Sequence, residues 1–297
     1  MRVVTNTDAL TGVFGYEKTL TILDKSGFEG TDLSMFDLAG EKSCWLQPDW
    51  ISYAKSLKAL ADRLNVPFVQ AHAPYPSSGI QEGFDAFIFR RIVRSLEVCS
   101  ELGIPRIVVH PKNHRNYYKY KRELFAENVA FYQALVPHCQ RTGVQVCAEN
   151  LQYRDPQLDV IRDTACSQPE EFCALVDTVG SPWIAACLDT GHAALTGTEP
   201  EDFIRALGPR LQAIHINDMD YHRDRHYLPF LGLTKWDPVL KTLAESGFSG
   251  DFTFEADNFY HPFPPELRPS AARMMADTGH YLVNRLNTFK QEDYHHA

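Results

Sequence analysis

The chain has 297 residues, 44% hydrophobic and 23% charged, with a formal net charge of −9. That acidity disfavours a nucleic-acid partner, and no apolar run approaches the roughly 18 residues of a membrane span. The seven cysteines contain no C-x-x-C pair, and Met1-Arg-Val-Val-Thr5 runs straight into a strand pattern without the apolar core of a secretory signal; both features predict a reducing cytoplasm, without disulfides or a thiolate zinc site.

The chain repeats one phrase: a helical stretch closing on Gly or Asn, a short apolar strand, and a polar residue at its end. Strands are predicted near 2–6, 31–36, 67–72, 106–110, 144–149, 183–189, 211–216 and 251–255. Helices are predicted near 16–26, 50–64, 84–102, 121–142, 168–179, 199–207, 236–246 and 269–288. Gly27, Asn65, Gly103, Gly143 and Gly247 are helix C-caps that feed the following strands. Helix 84–102 places Ile88, Ile92, Leu96 and Cys99 on one face. Such alternation gives right-handed βαβ units and a parallel sheet. Eight units in a chain of this length predict an α/β fold, a (β/α)8 TIM barrel, with residues 1–297 forming one catalytic domain. A doubly wound sheet is the alternative, but Thr5-Asn-Thr-Asp8 is not the Gly-rich phosphate turn expected after its first strand. The longest interruptions, 38–49, 151–167, 217–235 and 257–268, each follow a strand, so they belong to the face where barrels place active sites.

Six successive strands end in an imidazole or a carboxylate: His72, His110, Glu149, Asp189, His215 and Glu255. Strand tips of a barrel converge, so these side chains are expected at one site. The first two strands end at Thr5/Asn6 and Met35/Phe36, which offer no ligand; that side of the mouth is expected to hold substrate. In Cys187-Leu-Asp-Thr-Gly-His192, Gly191 is expected to turn the chain, and Asp189 reads equally well as a helix cap with His192 a core histidine. Carboxylates and imidazoles without thiolates suit a divalent ion such as Mn, Mg, Co, Fe or Zn, which would offset the repulsion among Glu149, Asp189 and Glu255. Trp45, Tyr75, Trp236 and Phe259 are candidates for stacking on a substrate ring, with plain packing the alternative. Loops 38–49 and 257–268, carrying Trp45, Phe259, Tyr260 and Phe263, are expected to close over something small. The basic, aromatic run 113–122 reads as a solvated helix start rather than a phosphate surface. His295 and His296 fall in the C-terminal tail.

Seven segments in order carry a family resemblance: Gln70-Ala-His-Ala-Pro-Tyr75, Val108-Val-His-Pro111, Cys147-Ala-Glu-Asn150, Leu188-Asp-Thr-Gly-His192, Ile214-His-Ile-Asn-Asp218, Asp224-Arg-His226 with Leu228-Pro229, Gly232 and Trp236, and Phe254-Glu255. Together they resemble the xylose-isomerase-like TIM-barrel superfamily, which includes sugar-phosphate isomerases and epimerases, ketose 3-epimerases, inosose dehydratases and endonuclease IV. The resemblance to the epimerases implies one divalent ion, manganese before Mg, Co, Fe or Zn, on Glu149, Asp189, His215 and Glu255. It implies that Glu149 and Glu255 double as the acid/base pair for proton transfer next to a carbonyl through an enediolate. Substrate contacts are then expected from His72, His110, His192, Asp224, Arg225, His226, Tyr75 and Trp236. The chain departs from the epimerases at Tyr221, where they carry a substrate-binding Arg, and at Pro229-Phe-Leu-Gly232, which lacks one glycine of their loop.

The implied function is a cytoplasmic metal-dependent isomerase or epimerase acting on a sugar, sugar phosphate or cyclitol, with a related elimination as an alternative and a homo-oligomer left open. The rival is a trinuclear zinc phosphodiesterase of the endonuclease IV type. Its nine ligand positions match His72, His110, Glu149, Asp189, His192, His215, Asp224, His226 and Glu255. The net charge of −9 argues against docking on DNA, so a single metal is expected, with His72 and His110 metal-free.

Overall fold

Eight parallel strands alternate with helices and close on themselves. The computed structural model describes residues 1–113 and 116–296, with side chains through Gln291. In chain order the elements are β1 (Val3–Asn6), α1 (Asp8–Phe14), α2 (Tyr16–Ser26), β2 (Gly30–Ser34), α3 (Trp50–Arg63), β3 (Phe68–His72), α4 (Phe84–Leu102), β4 (Arg106–Val109), α5 (Tyr117–Thr142), β5 (Gln145–Glu149), β6 (Tyr153–Asp155), β7 (Val160–Arg162), α6 (Pro169–Val179), β8 (Ile184–Asp189), α7 (Thr190–Leu195), α8 (Pro200–Leu207), β9 (Leu211–His215), α9 (Trp236–Glu245), β10 (Phe252–Phe254) and α10 (Arg268–His296). The sheet runs β10-β1-β2-β3-β4-β5-β8-β9. It closes between β9 and β10, where Ile216 N donates to Thr253 O at 2.8 Å and Glu255 N donates to Ile216 O at 3.1 Å. The fold is therefore the (β/α)8 barrel expected from the alternation, in a single domain.

Strand alternation sorts the side chains into two layers. Val3 and Phe254 point outward to α10, where they occupy the space a Cβ on Gly279 would need. Thr5 faces the same way, donating to Met275 Sδ at 3.4 Å. Val4 and Asn6 therefore face the barrel interior. The outer layer packs against the helices as one large core, in which Ile88, Ile92, Leu96 and Cys99 of α4 are all buried, as their spacing predicted. Inside the barrel, Val108, Cys147, Ala185, Cys187 and Ala213 form a separate small cluster. Each of Cys147, Cys187 and Ala213 lies two residues before a strand-tip candidate, so alternation puts Glu149, Asp189 and His215 on the inner face, one layer above.

The structure adds elements that the periodicity did not show. Helices α1 and α7 have seven and six residues, too short to display a hydrophobic stripe. The stretch 151–167 contains the antiparallel hairpin β6–β7. Helix α5 starts at Tyr117, inside the run read as a helix start, with Asn116 as its cap; His114 and Arg115 of that run lie outside the described residues, as do the side chains of His295 and His296. Among the described residues no helix is long and apolar enough to cross a membrane.

Candidate metal centre

Four strands deliver four ligand atoms to one point. Glu149, Asp189 and His215 end β5, β8 and β9, and Glu255 follows β10; one ligand atom of each lies within 4.8 Å of the others. All four are buried. His215 Nδ1 sits 2.9 Å from both Glu149 Oε1 and Glu255 Oε2. Asp189 has two duties. Its Oδ1 accepts from His192 N at 2.6 Å, capping α7, and its Oδ2 accepts from Asn217 Nδ2 at 2.6 Å. The cap reading and the cluster reading of this aspartate both hold. Gly191 is needed for a reason other than a turn: a Cβ there would run into the Asn217 amide.

The electrostatics of the cluster fit a cation. The only ion-pair partners of Glu149, Asp189 and Glu255 among the described residues are imidazoles. Burial pushes the Asp189 carboxyl up to about 6. Burial also works against Glu255, but His215 outweighs it and holds that carboxyl down at about 2. Glu149 is held well below the usual carboxylate range, against burial, by His215 and His110. Three buried carboxylates with one imidazole and no thiolate are the donor set of a hard-to-borderline divalent ion.

Three further groups share residues with this centre, one of them formed by His72 with His215 and Glu255 themselves. His72 Nδ1 lies 2.7 Å from Ala73 O, a pure acceptor, so it donates there and turns Nε2 inward. That Nε2 is 3.2 Å from His110 Nε2, and the two lie 3.3 and 2.9 Å from Glu149 Oε2. Two imidazole nitrogens and a carboxylate oxygen converging this closely require a shared proton or a cation. On the other side, Asp224 joins His192 Nε2 and His226 Nε2, each at 3.1 Å, and His226 Nδ1 reaches Asp257 Oδ1 at 3.2 Å. Burial lowers the His192 imidazole, but Asp189 and Asp224 outweigh it and raise it to about 10.

Asp218 folds the loop that carries Asp224 and His226. Its Oδ1 accepts from the Met219 and Thr234 amides, and its Oδ2 from the Phe230 amide and Trp236 Nε1. A Cβ on Gly232 would collide with this carboxylate and with Met219 O, so Gly232 packs on the Asp218 knot. His226 is held at φ 42°, a left-handed conformation unusual for a non-glycine residue and common at working sites.

These features identify the family. Residues 20–278 match the family model described as xylose isomerase-like TIM barrel. The chain belongs to that family. The protein named "Uncharacterized protein y4fM" of Sinorhizobium fredii is 25% identical over 166 residues, 54% of this chain, and the match spans 50% of that protein's length. The probable endonuclease 4 of Metamycoplasma arthritidis is 24% identical over 208 residues, 66% of this chain and 72% of that protein. A solved D-tagatose 3-epimerase-like protein superposes with a TM-score of 0.76 at 20% identity, covering 99% of this chain and 100% of its own. A D-psicose 3-epimerase solved in the presence of D-fructose gives 0.73 at 15% identity, covering 95% and 99%. The structural likenesses are likenesses of fold.

Within this xylose isomerase-like barrel, several expected contacts fall elsewhere. Trp236 is buried, with its indole committed to Asp218, and does not face the cluster. Arg225 Nε is paired with Asp220 Oδ2 at 2.9 Å. Trp45 is fully buried and donates to Tyr16 Oη at 3.2 Å, and Phe259 and Tyr260 are buried in the same core. The aromatics of loops 38–49 and 257–268 therefore hold those loops down rather than waiting to close. Tyr75 alone of the ring-stacking candidates is well exposed, at 46%, with its ring stacked on His110 at 5.0 Å. Tyr221, at the position of the epimerase Arg, directs its hydroxyl to Glu199 Oε2 at 3.2 Å.

Two polar residues of the barrel interior, Asp32 and Gln70, lie outside the expected site set, and Asn6 enters it only as a strand end on the substrate side. Strand β2 ends at Ser34, so its inward-facing acid is Asp32, fully buried, with Gln70 Nε2 donating to its Oδ2 at 2.7 Å. Asn6 of β1 is 3% exposed, and neither Oδ1 nor Nδ2 has a partner. The available signal is an acid at the centre of a short strand phrase, Gly30-Thr-Asp-Leu-Ser34.

Proposed function

We propose that this protein is a divalent-metal-dependent sugar isomerase or epimerase that moves a proton at a carbon next to a carbonyl. The observation that carries the reading is that Glu149 and Glu255, on strands separated around the barrel, both approach the same imidazole nitrogen at 2.9 Å. Two carboxylates flanking one buried point are what a proton transfer between opposite faces of a carbon requires. Glu149, Asp189, His215 and Glu255 would hold the ion, with manganese the first choice. When bound, such an ion polarises a carbonyl and its neighbouring hydroxyl and acidifies the C–H between them. One of Glu149 and Glu255 takes that proton, and the other delivers one. His192 directs Nδ1 to Asn150 O at 3.0 Å and Nε2 to Asp224 Oδ2 at 3.1 Å, so it reaches a substrate oxygen only by exchanging Asp224 for it. His72, His110 and Tyr75 line the same mouth, and the unpartnered amide of Asn6 is suited to a substrate hydroxyl. Names among the fold's relatives, D-tagatose and D-psicose 3-epimerase, point to a small carbohydrate. The reading places one catalytic domain, residues 1–297, in the cytoplasm.

The test is exchange of substrate C–H hydrogen with heavy water across a panel of keto-sugars, with and without manganese. Metal-dependent exchange that disappears on chelation is expected. Absence of exchange from every ketose in metal-loaded protein refutes the reading.

A second reading rests on the two flanking groups. His72, His110 and Glu149, and Asp189, His192 and His226, each also bring ligand atoms within 4.8 Å. Three bound zinc ions per chain with nicking of abasic DNA would establish phosphodiester hydrolysis. The net charge of −9 favours the carbohydrate reading, for which one tightly held ion per chain is expected.

A further inference from the structure

We propose that Asp32 is a positioning residue: from inside the barrel it holds His215 with Nε2 protonated, so that the Nδ1 lone pair faces the metal centre. The inference rests on the metal-centre reading and extends it one layer deeper. His215 spans two environments. Its Nδ1 lies between Glu149 and Glu255. Its Nε2, on the opposite edge of the ring, is buried and has no hydrogen-bond partner. Asp32 Oδ2 faces that nitrogen at 3.6 Å.

Asp32 has no other reason to be a carboxylate. It is fully buried, and His215 is its only ion-pair partner among the described residues. Gln70, its Cα partner across β2 and β3, donates one hydrogen bond to Oδ2, and Oδ1 accepts none. Burying a charge this poorly satisfied is costly, and an asparagine could receive the Gln70 bond equally well. An unsatisfied buried donor and an undersatisfied buried carboxylate that face each other form one interaction. At 3.6 Å the two groups face each other as an ion pair, just beyond hydrogen-bond length.

The consequence is a choice of tautomer. A neutral imidazole has one N–H and one lone pair. With the N–H directed to Asp32, the Nδ1 lone pair is free for an ion held between Glu149 and Glu255, whose carboxylates otherwise take an N–H from Nδ1. The opposite tautomer would aim an N–H at the cation position and a lone pair at a carboxylate, both repulsive. Carboxylates placed behind metal-binding histidines commonly orient the ligand in this way. Asp32 and Gln70 lie on β2 and β3 and His215 on β9, so the contact crosses the barrel interior.

The experiment compares full-length wild type with Asp32→Asn and Asp32→Leu. Cobalt affinity is measured by competition with a chromophoric chelator. The Tm of chelator-treated protein and the His215 tautomer in zinc-loaded protein, by nitrogen-15 NMR, are read alongside. Loss of an outer partner of a metal ligand typically costs about 10- to 100-fold in metal affinity. Asp32→Leu is expected in that range, with a smaller loss for Asp32→Asn, whose amide oxygen still accepts from Nε2–H. Neither Tm is expected to account for the loss, and Asp32→Leu should lose the Nε2–H signal. If Asp32→Leu does not fold, Asp32→Asn and its spectrum decide. Unchanged cobalt affinity in Asp32→Asn, or a wild-type His215 protonated at Nδ1 in the zinc form, overturns the assignment while leaving the metal centre standing. Wild-type protein that binds neither cobalt nor zinc overturns both.

Discussion

Asp189→Asn should change sign with metal. In the metal-free protein this carboxylate is buried beside Glu149 and Glu255, and burial raises it from an ordinary 3.8 to about 6. Its ionised form is thus disfavoured by folding. The sign follows from proton linkage: between about pH 4 and pH 6 the folded state holds a proton that the unfolded state has lost, so stability falls as pH rises through that window. By pH 7 the full cost, about 3 kcal/mol, is present. Asparagine removes the charge, keeps the cap and, once the Asn217 amide flips, replaces the bond that Oδ2 accepts from Asn217 Nδ2. It is as good an N-cap as aspartate, its oxygen can accept from His192 N, and its NH2 can donate to Asn217 Oδ1, which now lacks a partner. Allowing for burial of the new amide, the variant should gain about 1–3 kcal/mol at pH 7 in chelator, or about 2–5 °C in Tm for a chain of this size. Metal reverses the order. Wild type should gain about 2.7 kcal/mol at a hundredfold excess of ion over its Kd, and the variant, lacking one ligand, most of that increment should be lost. Thermal unfolding of both proteins, with chelator and with manganese, reads all four values. A variant less stable than wild type in chelator, or one that keeps the full metal increment, refutes the argument that Asp189 is a strained carboxylate awaiting a cation.

Three other perturbations separate the roles assigned above. Glu255→Gln should lower turnover about 100-fold or more on any sugar that exchanges; near-normal turnover in metal-loaded protein would exclude it from the acid/base pair. Trp45→Ala should destabilise the fold by about 3–5 kcal/mol, as for other buried large-to-small changes, and leave KM unchanged; a raised KM with unaltered unfolding would return Trp45 to the substrate pocket. Asp218→Ala removes four hydrogen bonds that shape the 217–235 loop. It should expose that loop to limited proteolysis and raise KM through Asp224 and His226 while cobalt still binds; an unchanged cleavage pattern would show that the carboxylate does not hold the loop.

The legible part of this protein is the part written in short-range pattern. Gly and Asn C-caps, apolar strand phrases and polar strand ends are local signals, and they gave eight strands and the ring of tips from His72 to Glu255. Side chains engaged across the barrel carried no such signal. Trp45 lies in a loop and Trp236 opens α9 at a loop's end, where an aromatic in sequence looks the same whether it covers a substrate or anchors the loop; only their indole partners, Tyr16 Oη and Asp218 Oδ2, tell which. Asp32 gives no tip signal because the sequence pattern carries the second strand to Phe36, whereas it ends at Ser34. That displaced the inward-facing acid from the expected tip to the layer beneath it.

The same distinction bears on how many cations the mouth holds. Glu149 serves both the central cluster and the His72–His110 pair, and Asp189 serves both the central cluster and the His192–His226 side. The three groups are therefore not independent sites: an ion in the centre draws charge from the two carboxylates that a neighbouring ion would also need. With Glu149 and Asp189 committed to a central ion, His72 and His110 are left with neutral donors and a shared carboxylate oxygen. The Asp224 carboxylate is already bonded to His192 and ion-paired with His226. Occupancy beyond one ion then requires a ligand that brings its own negative charge. A phosphodiester does so and a neutral sugar does not. Metal stoichiometry measured with and without a bound anion thus reports on substrate charge: a count that stays at one in both conditions fits a neutral carbohydrate, and a count that rises with phosphate fits a phosphorylated substrate, which nicking of abasic DNA then assigns to hydrolysis.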